Sequence, residues 1–322
     1  MDFSTAFLQG SLHEEIWLRQ PPRFTGTFPA GTQWNLRRPL YGLRQAPCEW
    51  HDTLRTTLAP LECAPSNVDP SLFLRTDTSL SPFYVPVYVD GLVFAMADTE
   101  ALTLVKSELQ KRHICTDLGE LRSHLGQQIT RDRARRTITL TQSHMVHQSV
   151  EPSGPYPELV GCLMYLMTCT RPDLTHPLIL LARYVAPGRH RKRSSQGYSF
   201  SLGSGSVSWR STRSSSVLSS SCEAEFYVGA MAAQELRWLT DLGEQPRSPP
   251  VLYVDNRLEH RTKHIALRYF LARELHQRGQ LRLAYVTTRA NTADVFTKAL
   301  PPGDHQRFVT VLGLLALLCF FS

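Results

Sequence analysis

Between Phe83 and Ala97, FYVPVYVDGLVFAMA, two apolar runs meet at a single carboxylate. Hydrophobic residues flank Asp90 on both sides, and Asp90-Gly91 is a strong short-range signal for a two-residue hairpin turn. The pattern predicts a β-hairpin with Asp90 at its tip. Just upstream, VDPSLFLRTD (68–77) reads as further strand; just downstream, TEALTLVKSELQKRH (99–113) repeats its apolar positions at helical spacing. ELRSHLGQQITRD and RTITLTQSH alternate as a second hairpin, and the Pro/Gly/Ser-rich QSVEPSGPYPELV (148–160) reads as a linker. Helical matter is expected at 158–185, followed by a basic, flexible joint, PGRHRKRSS (187–195). From about 196 to 307 the order is three strands, helix, strand, helix, strand, helix, with Gly197 to Trp209 as an early hairpin. GSGS (203–206) is its turn rather than a phosphate loop, because no helix follows directly. The final apolar run, Phe308 to Phe321, has 14 residues. A membrane-spanning helix needs roughly 20, so a docked terminal helix, or read-through past a decayed stop, is expected instead.

Composition adds a partner class. With 322 residues there is room for two domains, each able to bury a core. A net charge of +7 and a pI near 9.1 favour a polyanionic partner. Lys106, Lys111, Lys192, Lys263 and Lys298 are the only lysines among 35 basic residues. The remainder is arginine, whose planar fork suits phosphate oxygens, although a GC-rich genome would also raise arginine usage. The seven cysteines, at 48, 63, 115, 162, 169, 222 and 319, show no C-x-x-C spacing, and their odd number argues against a disulfide framework. A reducing, intracellular compartment (cytoplasmic or nuclear, not secreted) and no structural zinc are expected. Neither a signal peptide ahead of the first motif nor a membrane partner is expected.

A series of short motifs then runs in order along the chain: MDFSTAFLQG (1–10), RRPLYGLRQAPCEW (37–50), YVDG (88–91), TDLGELRSHLGQQITRD (116–132), ELVGCLMYLMTCTRPDL (158–174), GSVSWRS (205–211), SSSCEAEFYVGAMAAQELRWL (219–239), LYVDN (252–256), RTKHIALRYFLAREL (261–275) and ANTADVFTKAL (290–300). Together they resemble the reverse transcriptase and ribonuclease H region of copia-type LTR retrotransposon Pol polyproteins, from Asp2 to about Phe308. The resemblance implies an α+β palm-type reverse transcriptase domain followed by an incomplete α/β ribonuclease H-like domain. Its expected parts are a palm region at 1–147, a linker and helical connection at 148–195, a ribonuclease H-like remnant at 196–307 and an apolar tail at 308–322. In the family the second hairpin of the palm helps to place the primer end.

The resemblance also assigns chemistry. Nucleotidyl transfer uses two Mg²⁺ (or Mn²⁺) ions held about 3.5–4 Å apart by clustered carboxylates. The family's carboxylates map to Asp2 and Asp90, while the third position is Gly91. Tyr41 and Gly42 would line the deoxynucleoside triphosphate pocket, or form an ordinary turn. For ribonuclease H, Glu225 on the first helix, Asp255 ending a strand and Asp294 beginning the last helix map to three metal ligands expected to converge on one edge of that domain; the fourth, an aspartate on a first strand, has no counterpart, and a helix is missing after LYVDN. Pro86 is expected to interrupt the strand leading to Asp90, because proline cannot donate to a ladder. The family's fingers region, ahead of the first motif, is expected to be missing. His260 and His264 have i, i+4 spacing but fall in a family segment, where a solvated or phosphate-facing role fits better than zinc; Ser219 to Ser221 carry no base-orienter pattern.

These lesions point to a catalytically impaired copy, truncated and internally deleted, of a protein whose partners are an RNA/DNA template-primer and deoxynucleoside triphosphates. The alternatives are an active polymerase that tolerates Gly91, a non-catalytic protein binding nucleic acid without sequence preference, or a relic without function. Arg131, Arg133, Arg135 and Arg136, with the joint at 189–193, would carry the binding surface.

Overall fold

The computed structural model describes residues 1–21, 28–29, 31–77, 80–145, 155–185, 195–213, 221–242, 248–254 and 271–314; side chains are described for 1–21, 28–29, 31–77, 80–145, 155–185, 195–212, 227–242, 248–254 and 271–314. The chain forms two compact units, 1–121 and 122–322.

The first unit is built on strands β1 (Asp2–Phe3), β2 (Trp17–Arg19), β3 (Gln33–Asn35), β4 (Cys63–Pro65), β5 (Leu72–Arg75), β6 (Phe83–Tyr88), β7 (Gly91–Leu92), β8 (Ala95–Met96) and β9 (Cys115–Thr116). The main sheet has the order β4-β5-β6-β7-β1-β9, with β8 also on β6; β2 and β3 pair apart. Helix α1 (Ala46–Leu58) starts with a proline in its first turn and buries Ala46, Trp50, Leu54 and Leu58, a stripe at i, i+4 spacing. Helix α2 (Thr99–Arg112) is capped by Asp98, whose carboxylate accepts from the Glu100 and Ala101 amides, and ends on Lys111 and Arg112, favourable for the helix dipole. Both helices pack on one sheet face: Phe3, Phe73, Phe83, Val85 and Leu92 join Trp50, Leu54, Leu58, Val105 and Leu109 in one core. Because side chains alternate along a strand, the register of Asp2 with Gly91 and Thr116, and of Tyr88 with Gly91, puts these residues together on the opposite face.

Pro86 does not break its strand. β6 runs unbroken through it, pairing Leu72 with Pro86 on one side. The interruption falls on the other neighbour, where β7 and β8 are separated by Val93 and Phe94, and the Val93 amide donates to the Pro86 carbonyl at 3.1 Å. A proline side chain exposed on the open face, with its missing donor absorbed by a gap in the partner, leaves the backbone of β6 extended.

In the second unit, β10 (Ser123–His124), β11 (Gln127–Asp132) and β12 (Thr137–Thr141) form a three-stranded antiparallel sheet. It is tied to α3 (Tyr156–Cys169) by the Tyr165 hydroxyl donating to the Leu125 carbonyl, and to the residue just beyond it by Thr170 Oγ1 donating to Gln142 Oε1 at 2.7 Å. A short α4 (Thr175–Leu181) follows. The hairpin of β13 (Ser195–Leu202) and β14 (Gly205–Arg213) turns at Gly203-Ser204, as its glycine and serine content predicts. Two described strands, not three, precede α5 (Ser221–Leu242). Beyond it β15 (Val251–Val254) pairs in parallel with β16 (Arg282–Tyr285), with α6 (Leu271–Gln277) between them in sequence. Helix α7 (Pro302–Val311) buries Phe308 and Val309 and ends in a glycine cap. There Gly313 has φ +76° and its Leu314 amide returns to the Val309 carbonyl at 3.1 Å. Among the described residues no helix is long and apolar enough to cross a membrane.

Candidate functional site

β1 lies between β7 and β9, so Asp2 projects from the sheet interior rather than from an edge. Its neighbour Phe3 points the other way, edge-on to Trp50 at 5.2 Å between ring centroids and to His113 at 5.7 Å. The Phe3 amide donates to the Asp90 carbonyl and the Leu92 amide to the Met1 carbonyl, both at 2.9 Å. These bonds flank Asp2 and Gly91, which are therefore a non-hydrogen-bonded antiparallel pair, the type with the closest approach, about 4.5 Å between Cα atoms.

The turn that carries Asp90 differs from the sequence expectation by one residue. Tyr88 and Gly91 are the paired residues, so the turn residues are Val89 and Asp90, and Gly91 has already entered β7. Glycine's freedom is not used, because Gly91 does not have a positive φ; Val89 takes it instead, at 54°. A β-branched residue resists that conformation. Two bonds to neighbouring elements hold the turn: Trp50 Nε1 donates to the Val89 carbonyl at 2.7 Å, and Phe3 bonds to the Asp90 carbonyl. Pairing of Gly91 on both sides, to Tyr88 and to Asp2, fixes the register that pushes the turn back by one.

Asp2 is exposed and Asp90 half-buried. Tyr41 and Gly42 occupy the centre of a tight turn in which the Leu43 amide donates to the Leu40 carbonyl at 3.2 Å. Gly42 has φ +98°, the positive value that the third residue of a type II turn requires. The exposed Tyr41 ring rests on Phe7 at 4.5 Å. Phe7, in the helical turn after β1, is a residue that sequence reasoning missed; its signal was the aromatic five residues beyond Asp2. His113 was also missed. Its Nδ1 donates to Gln9 Oε1 at 3.1 Å and its Nε2 meets Thr57 Oγ1 at 2.9 Å, while burial, then Arg112, hold its pKa below the ordinary value. It buttresses the strand from beneath.

In the second unit the three carboxylates expected to converge are only partly described. Asp255 lies outside the described residues, as do His260, His264 and the joint at 189–193; Glu225 lies on α5 with its side chain undescribed. Asp294 does not begin the last helix. It sits in a separate 3-10 turn, Thr292–Phe296, buried at 8% exposure, and accepts from Lys298 Nζ at 2.9 Å. Among the described residues no group of three or more His, Cys, Asp or Glu side chains is gathered as a metal site.

Residues 1–155 match the reverse transcriptase (RNA-dependent DNA polymerase) family. A retrovirus-related Pol polyprotein from transposon TNT 1-94 of Nicotiana tabacum is 26% identical over 406 residues, covering 98% of this chain and 30% of that protein. The Pol polyprotein from transposon RE2 of Arabidopsis thaliana is 30% identical over 400 residues, covering 98% and 27%. A putative transposon Ty5-1 protein of Saccharomyces cerevisiae is 29% identical over 217 residues, covering 59% and 70%. Over nearly its whole length the chain is thus a relative of copia-type retrotransposon Pol polyproteins. It spans less than a third of the length of the two plant relatives.

Reverse transcriptases use divalent metal ions, so the donor set of this Pol relative can be tested against that need. Mg²⁺ demands hard oxygen ligands in near-octahedral array. The open face offers Asp2, with Asp90 in the adjoining turn and Gly91 supplying no side-chain oxygen opposite Asp2. In the second unit the Asp294 carboxylate is engaged by an ammonium. The described residues do not make the donor set of a two-metal centre.

Proposed function

We propose that the chain is a reverse transcriptase and ribonuclease H segment of a copia-type Pol polyprotein, impaired in catalysis. The observation that carries this reading is Gly91: it stands in the ladder directly opposite Asp2, where the family pattern has a second aspartate. A palm reading is supported by the first aspartate on an interior strand and the second in the turn of the neighbouring hairpin. Nucleic acid template-primer and deoxynucleoside triphosphates are the ligands this family takes. In the second unit, an antiparallel hairpin, a long helix and a parallel strand pair follow one another in the order expected of a ribonuclease H-like domain. Phe200 of β13, Leu252 of β15 and Leu283 of β16 pack into one core with α5 and α6, yet the described strands form two separate two-stranded ladders. A missing central strand accounts for both facts. The plant alignments support a deletion, since they run over 406 and 400 positions against the 322 residues here. Primer extension on a primed RNA template with Mg²⁺ or Mn²⁺ tests the reading: extension should be negligible. Robust extension that disappears in Asp90→Asn would overturn it in favour of a live polymerase.

One observation favours a second reading, sequence-independent nucleic-acid binding. Arg131 near the end of β11 and Arg133, Arg135 and Arg136 in the turn to β12 are all exposed, and the Arg135–Asp132 ion pair is long, 3.8 Å. Replacing Arg135 and Arg136 with glutamate should weaken oligonucleotide binding. It should also flatten the salt dependence, by roughly 0.7–0.9 log units per log unit of salt for each phosphate that is no longer neutralised. Filter binding at two salt concentrations reads this; unchanged affinity would remove the reading.

A further inference from the structure

The disagreement between donor set and family has a local cause. Position 91 could carry a side chain at no steric cost: its φ lies in the ordinary range, and a Cβ built there meets only the Tyr88 carbonyl oxygen, at 3.5 Å, an ordinary contact. That Cβ would stand on the open face, because Gly91 is the direct cross-strand partner of Asp2, whose flanking residues Phe3 and Leu92 are buried on the other face. In a non-hydrogen-bonded pair the Cβ atoms are about 4.5–5.5 Å apart. Carboxylates on two such residues reach a common cation. The rest of the cradle is held by hydrogen bonds that do not involve the side chain at 91: the Phe3 amide to the Asp90 carbonyl, the Leu92 amide to the Met1 carbonyl, and Trp50 Nε1 to the Val89 carbonyl.

We infer that the open face of this chain does not retain a divalent cation, that Gly91 alone is responsible, and that the backbone there is still shaped to present a third carboxylate beside Asp2. The inference rests on the palm reading of the first unit. It concerns metal retention, not polymerisation.

Mn²⁺ binding to the full chain, followed by the electron paramagnetic resonance signal of free Mn²⁺, tests it. Wild type should show no binding that depends on Asp2, so the isotherm of Asp2→Asn should superimpose on it. Gly91→Asp should add one Mn²⁺ site that wild type lacks. That site should vanish in Asp2→Asn/Gly91→Asp and fail to appear in Gly91→Asn, which matches the shape without the charge. Two results would overturn the inference. One is Mn²⁺ binding in wild type that Asp2→Asn abolishes, since two carboxylates would then suffice. The other is a Gly91→Asp protein with unchanged circular dichroism and unfolding midpoint that gains no site, since position 91 would not then face Asp2. Failure of the functional reading is distinguishable: it appears as template-directed extension by wild type, whereas an inactive wild type with Asp2-dependent Mn²⁺ binding would sink this inference alone.

Discussion

Gly197→Ala should loosen the hairpin of the second unit, and its magnitude can be worked from the local geometry. A Cβ at 197 would lie 2.6 Å from Phe296 Cβ and 2.9 Å from the Arg210 carbonyl oxygen. Neither neighbour is a flexible tip. Phe296 is fully buried among Val295, Phe308 and Leu312, with Trp209 packed on them, and the Phe296 carbonyl accepts from Ser211 Oγ at 2.7 Å. Relief must come from moving packed core or ladder backbone, which costs about 1–3 kcal/mol. Alanine recovers about 0.4–1 kcal/mol by restricting the unfolded chain. A net destabilisation of about 1–2 kcal/mol remains, equivalent to a 5–30-fold change in an opening equilibrium. Amide hydrogen exchange should accelerate by that factor at the β13 amides that bond β14. Gly205→Ala is the control: it has nothing within 4 Å of its Cβ and no positive φ, and should not accelerate exchange. A Gly197→Ala protein that keeps wild-type protection would refute the seating of this hairpin on Phe296.

Two further outcomes probe the first unit. Trp50→Phe keeps most of the buried ring but removes the donor to the Val89 carbonyl, so unfolding stability should fall by about 1 kcal/mol, read as a lower urea midpoint; an unchanged midpoint would mean the bond does not hold the turn. His113 is kept neutral by burial and Arg112, so the unfolded chain takes up its proton first as pH falls. The stability contributed by the neutral ring is complete above the ordinary histidine value near 6.5 and is lost below it, so the urea midpoint should decline from pH 7 to 5.5 in wild type and less in His113→Gln. Parallel declines would show that His113 is not the titrating group.

Much of the fold was legible because its elements carry local signals. Asp98 before a charged amphipathic run marks α2, and GSGS between alternating runs marks the β13–β14 turn. Ordered motifs gave the family. What could not be read was set by long-range pairing. β1, β7 and β9 are two residues long each, too short for periodicity, and exist because Asp2 is bracketed by Gly91 and Thr116. The Asp-Gly rule assumes an isolated hairpin in which glycine supplies the positive φ; here a strand on the far side claimed Gly91, and Val89 adopted the strained conformation. The proline rule likewise foresaw a break in β6, while the sheet placed the gap in the facing strands. Lys298, four residues beyond Asp294, was visible in sequence as an ion-pair spacing, but only the fold shows it on that carboxylate.

The register of Asp2 with Gly91 underlies both the functional reading and the inference drawn from it, and a double-cysteine variant measures it directly. Asp2→Cys/Gly91→Cys places thiols on a cross-strand pair with Cα atoms about 4.5 Å apart, within the span a disulfide bridges. The native Cys115 stands opposite Phe3 and so faces the core, away from position 2. Mild oxidation followed by peptide mass mapping should recover a 2–91 linked pair in high yield and little linkage in Asp2→Cys/Leu92→Cys, where residue 92 is buried on the other face. Linkage of 2 to 92 in preference to 91 would contradict the register and, with it, the account of the site.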